Sequence, residues 1–107
     1  MMILNYVLTV ELAKPVISAN PSGPIVSPGT SVTLTCSSND NFADLEYDFF
    51  KNGQLYHYSK DPAFDLPGDA VHSGIYTCQV IIPGGSVKSE KSNEIEIRFE
   101  GLSFVKC

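Results

Sequence analysis

Apolar and polar residues alternate in short runs along this chain, and turn-forming residues separate the runs. Val32, Leu34 and Cys36 alternate with Thr33 and Thr35, a period of two that puts every second side chain on one face of an extended strand. The same period recurs in Leu45, Tyr47 and Phe49, in Phe64 and Leu66, in Cys78, Val80 and Ile82, and in Ile95, Ile97 and Phe99. Helical periodicity of useful length does not occur, so the pattern predicts an all-β chain. Strands are expected over residues 15–19, 25–26, 32–36, 45–51, 55–59, 63–66, 78–82 and 95–99. Asn20-Pro21-Ser22-Gly23-Pro24, Pro28-Gly29, Asn52-Gly53 and Pro83-Gly84-Gly85 supply the turns between them. Asn-Gly is a strong hairpin signal, and proline beside residues 15–26 marks an edge, where backbone donors are spare.

Composition narrows the function classes. With 107 residues, 43% hydrophobic and 18% charged, the chain holds one core and is not disordered. A net charge of −5 leaves no basic stripe for nucleic acid. Lys51, Lys60, Lys88, Lys91 and Arg98 are scattered and read as solvated strand faces. Neither a Cys-x-x-Cys pair nor paired histidines suggest a metal, and His57 and His72 read as surface or corner residues. No cofactor is implied. Residues 1–13 are apolar and strand-like (Val7-Leu8-Thr9-Val10-Glu11-Leu12). They fit the end of a preceding domain with its linker, or a degenerate targeting segment. No run approaches the roughly 20 apolar residues of a membrane span. Residues 101–107 form a tail, and its Cys107 reads as a partner for a cysteine outside this sequence or as a fragment end.

Cys36 and Cys78 lie 42 positions apart, and the second closes His72-Ser73-Gly74-Ile75-Tyr76-Thr77-Cys78. This combination resembles an immunoglobulin-type β-sandwich, in which the cysteines bridge strands B and F of two antiparallel sheets and the tyrosine anchors the E–F corner. The resemblance implies a disulfide between Cys36 and Cys78, corner roles for Tyr76 and Gly74, and sheets built from strands A, B, E and C, F, G. It places Phe49 where such domains carry a core tryptophan, and this chain has none. So short an inter-cysteine stretch excludes the extra strand of a variable domain and favours a C2/I-type form over residues 14–100. A bridging pair of cysteines belongs to an oxidising, extracellular setting.

Three phrases narrow the likeness. Lys14-Pro15-Val16-Ile17-Ser18-Ala19-Asn20-Pro21 with Ser31-Val32-Thr33-Leu34-Thr35-Cys36 resembles the domain opening of leukocyte receptors of the Fc-receptor-like, LILR/KIR-like and platelet-endothelial adhesion groups. Tyr47-Asp48-Phe49-Phe50-Lys51-Asn52-Gly53 resembles their strand C, and Ser92-Asn93-Glu94-Ile95-Glu96-Ile97 their strand G. His72 stands where the family's corner aspartate belongs, which removes the customary corner ion pair. The resemblance implies a protein-binding module of a receptor or adhesion ectodomain, with neighbouring immunoglobulin domains in the same chain. A spacer domain without its own ligand is the alternative, and a secreted, soluble member of the same superfamily is a third reading.

Chemistry beyond binding has little support in the residues. Asp65, Asp69, His72 and Ser73 superficially supply a catalytic set, but a serine beside a corner glycine is ordinary turn chemistry. Asp40, Asp44, Glu46 and Asp48 lack the regular ligand spacing of a calcium loop. The binding candidates are aromatic. With Tyr47 and Phe49 facing inward, Phe50 faces outward, and Tyr56 and Tyr58 share one face of the next strand. Together with Lys51 and Pro83 they form one exposed patch, rich in residue types that carry contact energy, or else Tyr56 and Tyr58 fold over the sheet edge as local cover.

Overall fold

The fold follows from where each strand's alternation finds a partner. A computed structural model describes residues 12–40 and 43–101, and the expectations for residues 1–11 and for Cys107 lie outside these. The strands are β1 (Val16–Asn20), β2 (Ile25–Val26), β3 (Val32–Ser37), β4 (Glu46–Lys51), β5 (Gln54–Ser59), β6 (Ala63–Leu66), β7 (Gly74–Ile81) and β8 (Ile95–Phe99). One sheet has the order β1-β3-β6 and the other β2-β8-β7-β4-β5. Neighbours are antiparallel except β2 and β8, which run parallel. In strand letters these are A-B-E against A′-G-F-C-C′.

The inward faces of the two sheets form a single core. Val32, Leu34 and Cys36 of β3 oppose Tyr76, Cys78 and Val80 of β7, with Ile17, Phe49, Leu66, Ile97 and Phe99 around them. Burying each such side chain is worth about 1.5–3 kcal/mol. The Cys36–Cys78 disulfide crosses between the sheets, with a Cα separation of 6.0 Å. Phe49 fills the tryptophan slot with 0% of its surface exposed and tilts against Phe64 at 5.5 Å between ring centroids.

The corner forms around a 3-10 turn at Ala70–His72. The Tyr76 hydroxyl donates to the His72 carbonyl, and burial pushes that phenol far above its ordinary pKa, so it stays a donor. Gly74 leaves room for the Lys51 stem, since a Cβ there would sit 3.0 Å from Lys51 Cε. Lys51 Nζ then donates to the Val71 carbonyl at 2.6 Å. Gly68 is required for closer contact still: its Cβ would come within 2.6 Å of Thr30 N, while its carbonyl accepts from the Gly29 amide at 2.8 Å.

One local expectation is refined and one corrected. The edge piece Ile25–Val26 lies not on the sheet of strand A but on the other, where Arg98 N donates to the Pro24 carbonyl and Glu100 N to the Val26 carbonyl. The break falls where the prolines of residues 21–24 prevent strand A from continuing its ladder. Ile82 lies beyond β7, which ends at Ile81. Ile81 is itself buried, beside its bridge to Lys88.

Candidate protein-binding surface

The outer face of the five-stranded sheet is built by the residues that alternate with the core. Asp48 pairs with Gln79 of β7 and Tyr58 of β5, and Phe50 with Thr77 and Leu55. Residues directly opposite one another project to the same side, so these six share the outer surface, together with Glu46 and Ile75. Ile75 is 41% exposed.

The chain after β7 shapes this surface through two serines. β8 pairs with β7 only over Gly74–Tyr76, which leaves the backbone of Cys78 and Val80 to find other partners. Ser92 supplies them: its amide donates to the Cys78 carbonyl, and its hydroxyl accepts from the Cys78 amide at 2.8 Å. Ser89 does the same for Val80, accepting from its amide at 3.0 Å. Both serines are buried, and each hydroxyl donates to the carbonyl of the following residue. A three-residue step is thus fitted against a two-residue step on β7, and the surplus pushes Lys91 outward. Its ammonium sits 4.1 Å from the centroid of the Phe50 ring, within cation–π range.

Beside this pair lies a cleft of about 450 Å³ lined by Asn52, Gly53, Ile75, Thr77, Lys91 and Glu94. It offers one apolar side chain, hydrogen-bonding groups and charges of both signs. Further along the face, Asp48 is only 7% exposed. Burial raises its carboxyl pKa above the ordinary value, Lys88 opposes the rise, and Glu46 adds to it.

The five sequence-derived contact candidates do not gather into one patch. Phe50 faces outward, half-buried beneath Lys91. A β-bulge between Phe49 and Phe50 in the β4–β5 register makes Tyr56 the surplus residue, and this separates it from Tyr58. Tyr56 turns over the sheet margin, where its ring meets Phe64, His72 and Tyr76 edge-on and its hydroxyl bonds His72 Nδ1 at 2.7 Å. Lys51 lies over that ring and is held by Val71. Tyr58 stays outward, with its phenol pKa raised by the neighbouring Glu46 carboxylate. Pro83 sits with Leu45 and Glu46 at the start of β4, about 17 Å along the strand from Lys51. Lys91, Ser89 and Ser92 were missed in the sequence reading, and the Ser-x-x-Ser spacing was the only visible signal for them.

Groups that looked chemical in sequence are engaged apart from one another. Asp65 accepts from the Thr33 hydroxyl, Ser73 Oγ accepts from the Phe99 amide, and His72 is held by Tyr56. Asp40 accepts from Ser38 and from the Ala13 amide. Among the described residues no cluster of three or more His, Cys, Asp or Glu gathers. No helix among them is long and apolar enough to cross a membrane.

Known proteins share this arrangement. The chain is 31% identical over 106 residues to the human osteoclast-associated immunoglobulin-like receptor, covering 92% of this chain and 36% of that protein's length. Its structure superposes on the human OSCAR ligand-binding domain with TM-score 0.64 and 31% identity, over 81% of this chain and 48% of the other. The second Ig-C2 domain of human Fc-receptor like A gives TM-score 0.67 at 28% identity, over 82% and 98%. These relatives are receptor-like rather than enzymatic. The immunoglobulin domain model matches residues 14–99, and with the inter-sheet disulfide, the corner tyrosine and the strand order in place, the chain belongs to the immunoglobulin domain family.

Proposed function

We propose that this domain is an extracellular protein-binding module of a leukocyte-type receptor or adhesion molecule, with its contact surface on the outer face around Phe50, Ile75 and Lys91. The observation that carries this reading is the Phe50–Lys91 pair beside the cleft that Ile75 and Lys91 help to line. An aromatic ring held in place by a cation loses little side-chain entropy on contact, and such anchored aromatics carry most interface energy. Glu94 and Lys91 give the rim both signs of charge, which orients a partner. The likeness to the human OSCAR ligand-binding domain supports the reading, and the disulfide suits an oxidising compartment. Neighbouring immunoglobulin domains in the same chain complete the proposal. Pro83 lies too far along the sheet to share one small contact centre with Phe50, whereas Tyr58, opposite Asp48, is a diagonal neighbour of Phe50 on the same face.

The test is a binding screen of the oxidised domain against cell-surface and immunoglobulin proteins, run beside a Phe50→Ala/Lys91→Ala variant. A ligand that loses affinity by about tenfold or more, with the variant still folded, supports the reading. A ligand unaffected by the variant places the contact elsewhere. Tyr56 is left unchanged because it packs on Tyr76 at the corner.

A second reading, a spacer domain, draws on Val71. It is 71% exposed in the 3-10 turn, next to the end of β8, where Phe99 N donates to Ser73 Oγ. An apolar side chain at the chain exit suits contact with a neighbouring domain. A folded, disulfide-bonded domain that binds nothing in the screen favours this second reading.

A further inference from the structure

Edge strands expose unpaired backbone donors and acceptors, and proteins guard them with prolines, charges or short length. Six of the seven prolines in this chain flank its edge strands. Pro15 and Pro21 bracket β1, Pro24 and Pro28 bracket β2, and Pro62 and Pro67 bracket β6. The fourth edge among the described residues, β5, has none. Its six residues, Gln54–Ser59, carry no Asp, Glu, Lys or Arg, and they expose Leu55 (60%) and Tyr58 (50%). Because the bulge adds Tyr56 between them, Leu55 and Tyr58 both stand on the outer face, opposite Phe50 and Asp48.

We propose that β5 pairs antiparallel with β5 of a second copy of this chain, about a two-fold axis through the bulge. In this register Gln54 and Leu55 of one copy lie against Ser59 and Tyr58 of the other, and the two sheets join into one. The bulge selects the occupant. A regular strand from another protein would meet it without a counterpart, whereas an identical strand bulges at the same place, so both irregularities fall on the axis and the stretches either side pair normally. The absence of strand charges removes like-charge repulsion between copies. Six residues a side is well below the 20–30 of a stable interface, so the dimer is weak and gains from two copies being held on one surface.

The experiment is sedimentation equilibrium of the oxidised domain from about 10 μM to about 1 mM, where a Kd of about 0.1–1 mM is expected. Leu55→Lys/Tyr58→Lys places like charges across the axis and is expected to weaken association by about tenfold or more. Leu55→Lys/Tyr58→Glu places opposite charges across it and is expected to associate at least as well as the native chain. Both positions are exposed, and thermal unfolding checks that each variant is folded. A native chain that stays monomeric at about 1 mM overturns the proposal. So does association that neither variant changes, or a Lys/Glu variant weakened as much as the Lys/Lys one. The assay needs no ligand, so its failure leaves the binding reading untouched.

Discussion

Phe49 and Phe50 are consecutive residues of β4 with the same side chain, yet they belong to different environments. Phe49 points between the sheets and has no exposed surface, while Phe50 points outward and is half-covered by Lys91. The inner face is specified by volume: Phe49 packs among apolar side chains, the disulfide and the rings of Phe64 and His57, and a lost methylene leaves a void. The outer face is specified by a few polar contacts over an open cleft, so its residues can change without cost to the core. What separates the core from the proposed contact surface in this domain is therefore one step along a strand.

The difference can be broken most strongly at Phe49. Phe49→Ala is expected to cost about 3–5 kcal/mol of stability, whereas Phe50→Ala costs less than about 1 kcal/mol. Urea denaturation of the two variants measures both, and equal losses would remove the distinction between the faces. Next comes Ser92→Ala, which leaves the buried Cys78 amide without its acceptor and is expected to cost about 1–3 kcal/mol. The same assay checks it, with Ser86→Ala, at an exposed serine of the F–G turn, as a control expected to change little.

The smallest effect is expected at Asp48, an outer-face residue that is nonetheless buried. Its folded pKa is raised above the ordinary 3.8, chiefly by desolvation. The folded state therefore holds its proton more tightly than the unfolded chain does. The associated stability is fully present below the unfolded pKa and is lost as pH rises through the folded value, so at neutral pH the ionised group is a penalty. Asp48→Asn is expected to raise the urea midpoint at pH 7, with the gain shrinking as pH falls towards 3.8. A midpoint lowered at pH 7 would mean that the attraction to Lys88 outweighs desolvation.

Most of the scaffold was legible in the residues. The alternation in Val32, Leu34 and Cys36, the Asn-Gly and Pro-Gly turns, and the tyrosine two places before Cys78 all appear where expected, as do the inward faces of β3, β6 and β8. The proposed contact surface was less legible. Tyr56 and Tyr58 obey a simple alternation in sequence, but a bulge that depends on how β5 registers against β4 separates them. Lys91 looked like one scattered cation among several. Nothing local to it says that Ser89 and Ser92 will replace a strand ladder and lift it over Phe50.

The strands and turns were therefore readable from the chain, because each rests on the chemistry of a few consecutive residues or on a two-residue period that survives any packing, while the inter-sheet disulfide and the corner followed from the family resemblance carried by Cys36, Tyr76 and Cys78. Only the tertiary structure decided that Ile25–Val26 would join the opposite sheet, that Tyr56 would leave the outer face, and that Lys91 would cap Phe50. These outcomes depend on register between segments far apart in the chain, where a shift of one residue turns a side chain from one face to the other.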